Sequence, residues 1–286
     1  MRYAPESVDQ VVSNAPQPGL RGDYRNIRPD YGVEQDWAAY SAQEHALFAK
    51  LCRRQLALLP GYACDAYLRG LALLDARDAI PRFDAVSRRL RAASNWEIVA
   101  VPGLIPDRVF FEHLAQRRFP VTVWLRRPDE FDYIVEPDVF HDLFGHVPLL
   151  FDPAYADYMQ AYGQGGLKAA RLDALTFLAR LYWYTVEFGL IRTPQGLRIY
   201  GAGILSSGGE VVHSIESPAP RRVAFALERV MRTEYHIDRY QGTYFVIDSF
   251  EQLVRDTAPD FTPIYARIGA LPALAADTAA PGDTPL

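Results

Sequence analysis

Apolar residues recur every three or four positions along most of this chain, the spacing of helices that bury one face. Over residues 36–59, Trp37, Tyr40, His45, Leu47 and Leu51 trace such a stripe. Further helices are expected over 65–75, 82–93 (where Ile80-Pro81 marks the approach), 108–117, 137–146, 153–164, 172–189 and 220–232. Two runs break the rhythm: residues 96–101 and 119–125 read as short strands on either side of helix 108–117. Pro, Gly, Asn and Asp at short intervals make residues 1–33 an extended arm, and 200–210 is a Gly-Ser-rich turn. Past residue 270 the composition turns to Ala, Pro, Thr and Asp, which predicts a disordered tail over 271–286. With no internal repeat or linker, the pattern predicts a mainly α fold with minor β strands and one domain over 34–270.

Composition narrows the class. A chain of 286 residues, 49% of them apolar, can bury a large core. No apolar run reaches the ~20 residues of a membrane span, and the N-terminus has no basic stretch leading into an apolar one, as secretion would require. The two cysteines, Cys52 and Cys64, form no CxxC pair. They read as packed thiols in a reduced, cytoplasmic protein. Net charge is −5, and the clusters Arg88-Arg89-Leu90-Arg91 and Arg117-Arg118 read as solvated helix faces, which argues against nucleic acid as a partner. Aromatics reach 13% and crowd into Leu181-Tyr182-Trp183-Tyr184 and Tyr244-Phe245. That much is ordinary for an aromatic core.

Candidate chemistry begins at Glu-Pro-Asp-Val-Phe-His-Asp-Leu-Phe-Gly-His-Val-Pro, residues 136–148. Pro137 suits a helix's first turn, and Pro148 should end the helix near His146. His141 and His146 stand five apart, which on a regular helix separates them by about 140°. They converge on one ion only if the last turn loosens, and Gly145 followed by Pro148 offers the place. The spacing differs from the His-Glu-x-x-His of zinc hydrolases, which also inserts a general base.

Glu187 lies in a segment apolar nearly all round, Leu181 to Ile191, with no cation a turn away. A carboxylate buried there must be paired, protonated or bound to metal. An arginine from elsewhere in the chain is one partner. The pair of imidazoles is the other, and two histidines plus one carboxylate leave three adjacent octahedral positions open, as in non-haem iron(II) oxygenases. Zinc prefers a tetrahedral site with one open position.

Three long motifs give a further reading. Glu-Pro-Asp-Val-Phe-His-Asp-Leu-Phe-Gly-His-Val-Pro-Leu (136–149), Tyr-Trp-Tyr-Thr-Val-Glu-Phe-Gly-Leu (182–190) and Tyr-Gly-Ala-Gly-Ile-Leu-Ser-Ser (200–207) resemble, in order and spacing, the pterin-dependent aromatic amino acid hydroxylases, and most closely their short bacterial members. The likeness runs over roughly residues 30–260. It implies an iron(II) site of His141, His146 and Glu187, with tetrahydropterin and O2 as cosubstrates. Gly103, Ile105, Phe110 and Ala179 would line the pterin pocket, with Phe110 as its stacking ring. Tyr182, Asp142 and Ser206 would belong to the catalytic machinery, the first two beside the pterin. Arg126, Tyr133, Pro137, Trp183, Phe188 and Gly203 would meet the amino acid, as would Ser206.

Elementary chemistry makes some of these choices intelligible. A guanidinium grips a carboxylate through two parallel N–H bonds, so Arg126 fits the substrate's α-carboxylate, although Arg127 stands beside it. Trp183, Phe188 and Pro137 would form an apolar slot for the ring. Ser206 and Asp138 are candidates to hydrogen-bond the ligating imidazoles, and Asp138 serves equally as a first-turn carboxylate. Two departures from the family pattern concern the pterin: Pro106-Asp107 replaces a serine pair of many animal members, and Pro120 replaces a histidine. The chain has no room for the animal enzymes' regulatory domain or tetramerising helix, which predicts a constitutively active monomer. The reaction implied is phenylalanine 4-monooxygenation. The alternatives are tyrosine or tryptophan hydroxylation, or, in a different class, zinc-dependent hydrolysis.

Overall fold

The computed structural model describes residues 21–134 and 136–286. Helices dominate, and their ends are set by local chemistry. Helix α1 (Ala42–Leu58) opens on a capping box: Ser41 Oγ accepts the Glu44 N–H at 3.2 Å and Glu44 returns a bond to the Ser41 N–H at 2.8 Å. Helices α2 (Asp65–Leu74) and α3 (Phe83–Ser94) end on Asp75 and Asn95, both left-handed. Strand β1 (Glu97–Val101), helix α4 (Asp107–Ala115) and strand β2 (Arg118–Thr122) follow, and the strands pair in parallel from Glu97↔Arg118 to Val101↔Thr122. Pro120 is tolerated because a two-stranded sheet has only edge strands.

Next comes a π-helical turn, His141–His146, running into a 3-10 turn, Val147–Phe151. Helix α2 packs closely on the latter, since a Cβ on Gly70 would stand 1.8 Å from the Pro148 carbonyl oxygen. Helix α5 (Pro153–Arg171) is capped by Asp152, whose Oδ1 accepts two N–H groups. Helix α6 (Leu175–Tyr182) passes into a second π turn, Trp183–Glu187. Strands β3 (Leu190–Thr193) and β4 (Gly196–Ile199), short helices α7 (Ala202–Ser206) and α8 (Glu210–Glu216), strand β5 (Arg221–Ala224), helix α9 (Leu227–Arg232) and strand β6 (Thr243–Ile247) complete a four-stranded sheet of order β4-β3-β6-β5. Only β3 and β4 are antiparallel. Helices α10 (Phe250–Thr257) and α11 (Thr262–Gly269) close the domain. One aromatic-rich core runs throughout, and every residue of β6 is buried.

The chain is thus mainly α with minor strands, with local differences from the sequence reading. Residues 221–224, expected to be helical, form β5, because the wholly buried β6 offers them a partner. Helix 137–146 begins at Val139 and is π-helical from His141. The 200–210 turn contains α7. Arg117 and Arg118 do not lie on a solvated face: Arg117 donates to Gln160 Oε1 at 2.9 Å and also bonds Asp157, while Arg118 pairs with Asp30 at 2.9 Å.

Cys52 and Cys64 are free and buried, and burial pushes their thiols up to about 12 and about 11. Of the arm expected over 1–33, residues 1–20 lie outside the described residues. Arg21 pairs with Glu130, and the Val33 N–H bonds the Ala100 carbonyl. Residues 271–286, read as disordered from composition, lie against β5 and α9 here. Leu274 bridges Thr233, Pro285 bridges Val223, and Asp283 pairs with Arg229 at 2.8 Å. Among the described residues no helix is long and apolar enough to cross a membrane.

Candidate active site

The first π turn resolves the histidine spacing. Its i→i+5 bonding places residues five apart nearly one above the other, so His141 and His146 face each other with their Nε2 atoms 3.0 Å apart. The second π turn performs the same service for its last residue, Glu187. One Glu187 oxygen lies 3.2 Å from His146 Nε2 and the other 3.7 Å from His141 Nε2. Helix α7 packs against both turns. Burial drives the His141 imidazole down to about 4. Burial also opposes charge on His146 and Glu187, yet their contact reverses it, raising the imidazole and lowering the carboxyl.

The outer nitrogen of His141 decides its tautomer. Nδ1 lies 2.9 Å from Ser206 Oγ, and that hydroxyl donates its own proton to the Ala202 carbonyl at 2.9 Å. Ser206 must therefore accept from His141 Nδ1–H, leaving the Nε2 lone pair turned toward Glu187 and His146. His146 Nδ1 is buried without a partner among the described residues. Packing holds that ring instead, with Phe119 at 5.1 Å and Tyr182 at 6.2 Å between centroids.

A second carboxylate competes for the same role. His141, Asp142 and His146 offer ligand atoms within 4.8 Å of one another. Asp142 Oδ2, however, accepts the Thr122 N–H at 2.8 Å, and burial pushes its carboxyl up to about 7, against that bond. Glu187 addresses both Nε2 atoms and is the better third donor. Two imidazoles and a carboxylate, converging from two π turns, suit an octahedral divalent metal with one face open.

The residues expected around the metal fall into two contact groups. In the first, Phe110 meets Tyr182 edge-to-face at 5.7 Å, and Ala179 lies one turn before Tyr182 on α6. Gly103 and Ile105 sit in the loop between β1 and α4. In the second, Trp183 stacks on Tyr235 at 4.3 Å and meets Phe188 at 4.7 Å. Gly203 adjoins both Phe188 and the acid, since a Cβ there would come within 2.9 Å of Phe188 Cζ and 3.2 Å of Glu187 Oε2.

Pro137 stands just ahead of the first turn and is half-buried, whereas Tyr133 is exposed, its hydroxyl donating to the Ile237 carbonyl at 2.9 Å. Arg126 is not a free arm. Its Nε and Nη2 bond Asp138 at 2.8 and 3.0 Å. Asp138 does not reach an imidazole; it accepts the backbone N–H of His141 at 2.9 Å, capping the helical segment that begins at Val139. Arg127 is exposed and pairs with Glu130.

Comparison with known proteins supplies what geometry alone does not. The family described as “Biopterin-dependent aromatic amino acid hydroxylase” matches residues 25–263. The chain belongs to that family. Among similar members, a phenylalanine-4-hydroxylase of Ralstonia nicotianae is 60% identical over 92% of this chain and 85% of its own length. The phenylalanine hydroxylase of Chromobacterium violaceum, crystallised with iron and phenylalanine, superposes with a TM-score of 0.88 at 56% identity, covering 94% of this chain and 97% of that one. Its structure with iron(III) and oxidised 7,8-dihydrobiopterin gives 0.88 at 56% identity over 91% and 95% of the two chains.

For a biopterin-dependent hydroxylase the facing imidazoles and nearby acid suit iron, and zinc hydrolysis loses its footing. Sequence reasoning missed Phe119, which packs on His146, and the Asp138 clamp on Arg126. The first carries no chemical signature, and the second required knowing that the chain turns back between residues 126 and 138.

Proposed function

We infer that this hydroxylase converts phenylalanine to tyrosine with O2 and a tetrahydropterin at an iron(II) centre held by His141, His146 and Glu187. The observation that carries the reading is the approach of two imidazole Nε2 atoms and one carboxylate in a chain whose full-length relatives are phenylalanine hydroxylases. Iron and reduced pterin together supply the activation of O2, one oxygen atom going to the ring and the other to the pterin.

The chain's own residues bind, orient and exclude water. Ser206 fixes the His141 tautomer, and Phe119 and Tyr182 set the plane of His146. Phe110 offers a ring for the pterin to stack on, beside Tyr182, Ala179 and the Gly103–Ile105 loop. Across the site, Trp183, Phe188 and Pro137 form an apolar slot for the substrate ring, with Gly203 leaving room beside the carboxylate. Arg126, its charge balanced and its plane fixed by Asp138, presents its remaining N–H groups to the amino acid's carboxylate. We propose that the protein works as a cytoplasmic monomer.

Tyrosine appearing only when phenylalanine, iron(II), tetrahydropterin and O2 are all supplied is the expected result. No product under those conditions, or a higher kcat/KM for tyrosine or tryptophan, would overturn the assignment.

A further inference from the structure

We propose that Gln241 is a positioning residue, fixing the indole of Trp183 in the orientation that shapes the substrate slot and so helping to set which aromatic amino acid is accepted. The inference rests on the reading above that Trp183 lines that slot. Gln241 is 2% exposed and lies just before β6. Its Oε1 accepts the Trp183 Nε1–H at 3.1 Å, and its Nε2 donates to the carbonyls of His236 at 2.9 Å and Arg239 at 3.4 Å. With both amide hydrogens committed to carbonyls, the amide cannot reverse without setting a donor against the indole donor. Its backbone is held too. The Gln241 N–H bonds Glu210 Oε1 at 3.1 Å, an oxygen that also accepts the Tyr244 hydroxyl at 2.7 Å.

The orientation is passed on through contact. Trp183 contacts both Tyr235, nearly parallel at 15°, and Phe188 at 36°. The Phe188 ring tip in turn borders Gly203, next to the Glu187 carboxylate. An indole has a single polar atom, so the stacking faces alone would accept a ring turned over in its plane. The bond to Gln241 removes that degeneracy. A reoriented indole would move Phe188 and change the width of the space beside the acid.

The test compares Gln241→Met, Trp183→Phe and the double variant in the iron-loaded enzyme. KM and kcat are measured for phenylalanine, together with kcat/KM for phenylalanine relative to tryptophan. Gln241→Met is expected to raise the phenylalanine KM by about five-fold, the worth of one neutral hydrogen bond, to narrow the preference over tryptophan, and to leave kcat and iron content nearly unchanged. In the Trp183→Phe background the same substitution should add almost nothing.

An unchanged KM and preference in folded Gln241→Met would overturn the proposal, as would an effect of full size when Trp183 is already Phe. If Trp183→Phe itself alters neither KM nor preference, the slot assignment falls and this inference with it, an outcome separate from the first two. Should Gln241→Met not fold, Gln241→Asn withdraws the same amide by one methylene and is judged by the same outcomes.

Discussion

Arg126 gives three N–H groups to Asp138, Nε at 2.8 Å, Nη2 at 3.0 Å and the backbone N–H at 2.9 Å, in a pair with side chains only 3% and 0% exposed. The arginine thus has a structural duty beside the substrate-binding one proposed for it, and the two separate by mutation. Arg126→Ala should raise the KM for phenylalanine and, by stranding a buried carboxylate, lower stability by about 3–5 kcal/mol. Adding Asp138→Asn to Arg126→Met removes the stranded charge while keeping an acceptor for the His141 N–H. That pair should unfold at a urea midpoint well above that of Arg126→Ala, though short of the parent's because the backbone N–H of residue 126 loses the Oδ2 acceptor it has at 2.9 Å, and still show the high KM. A KM that returns with stability would mean the arginine only holds the fold.

The Ser206 hydroxyl holds His141 in the tautomer whose Nε2 carries a lone pair. Ser206→Ala leaves Nδ1 without an acceptor and lets the proton move to Nε2. Outer hydrogen bonds of this kind are worth about 10–100-fold in metal affinity. Titration against a chelator should show iron(II) binding weakened to that extent. Affinity equal to the parent's would remove Ser206 from any such role.

Two carboxylates stand near the histidines, and iron retention distinguishes them. His141→Ala, His146→Ala and Glu187→Ala should each lose iron on dialysis. Asp142→Asn should keep it, because Asp142 Oδ2 is engaged with the Thr122 amide. Iron loss in Asp142→Asn with retention in Glu187→Ala would exchange the two assignments.

Much of this was legible in the chain, and what was not had physical reasons. The helices from α1 to α5 and the strands β1 and β2 follow from local periodicity. Even the awkward His141–His146 spacing signalled a loosened turn, although i→i+5 bonding itself left no mark in the sequence. Strand β5 was hidden because its pairing with β6 spans some twenty residues and its own run, Arg221-Arg222-Val223-Ala224, is half charged. Residues 271–286 looked featureless because the bonds that hold them, such as Asp283 to Arg229, are polar and distant in sequence. Trp183 and Phe188 carry no mark of a substrate slot beyond the family resemblance, and the Gln241 contact to Trp183, 58 positions away, left no mark at all.

Glu210 offers a test by pH that avoids the metal site. It is 5% exposed, and burial pushes its carboxyl from the ordinary 4.5 up to about 7, against the bonds it accepts from Tyr244 and Gln241. Below about pH 4.5 the carboxyl is protonated in both folded and unfolded chains. Between there and pH 7 the folded protein keeps a proton that the unfolded chain has released, so stability falls as pH rises, by at most about 1.4 kcal/mol per pH unit. Glu210→Gln keeps an acceptor oxygen and cannot ionise. Its urea midpoint should therefore decline less steeply than the parent's between pH 5 and pH 7, and above pH 7 the variant should be the more stable of the two. Parallel profiles for the two proteins would show that Glu210 ionises in the fold as it does in water, its burial compensated by the hydrogen bonds it accepts.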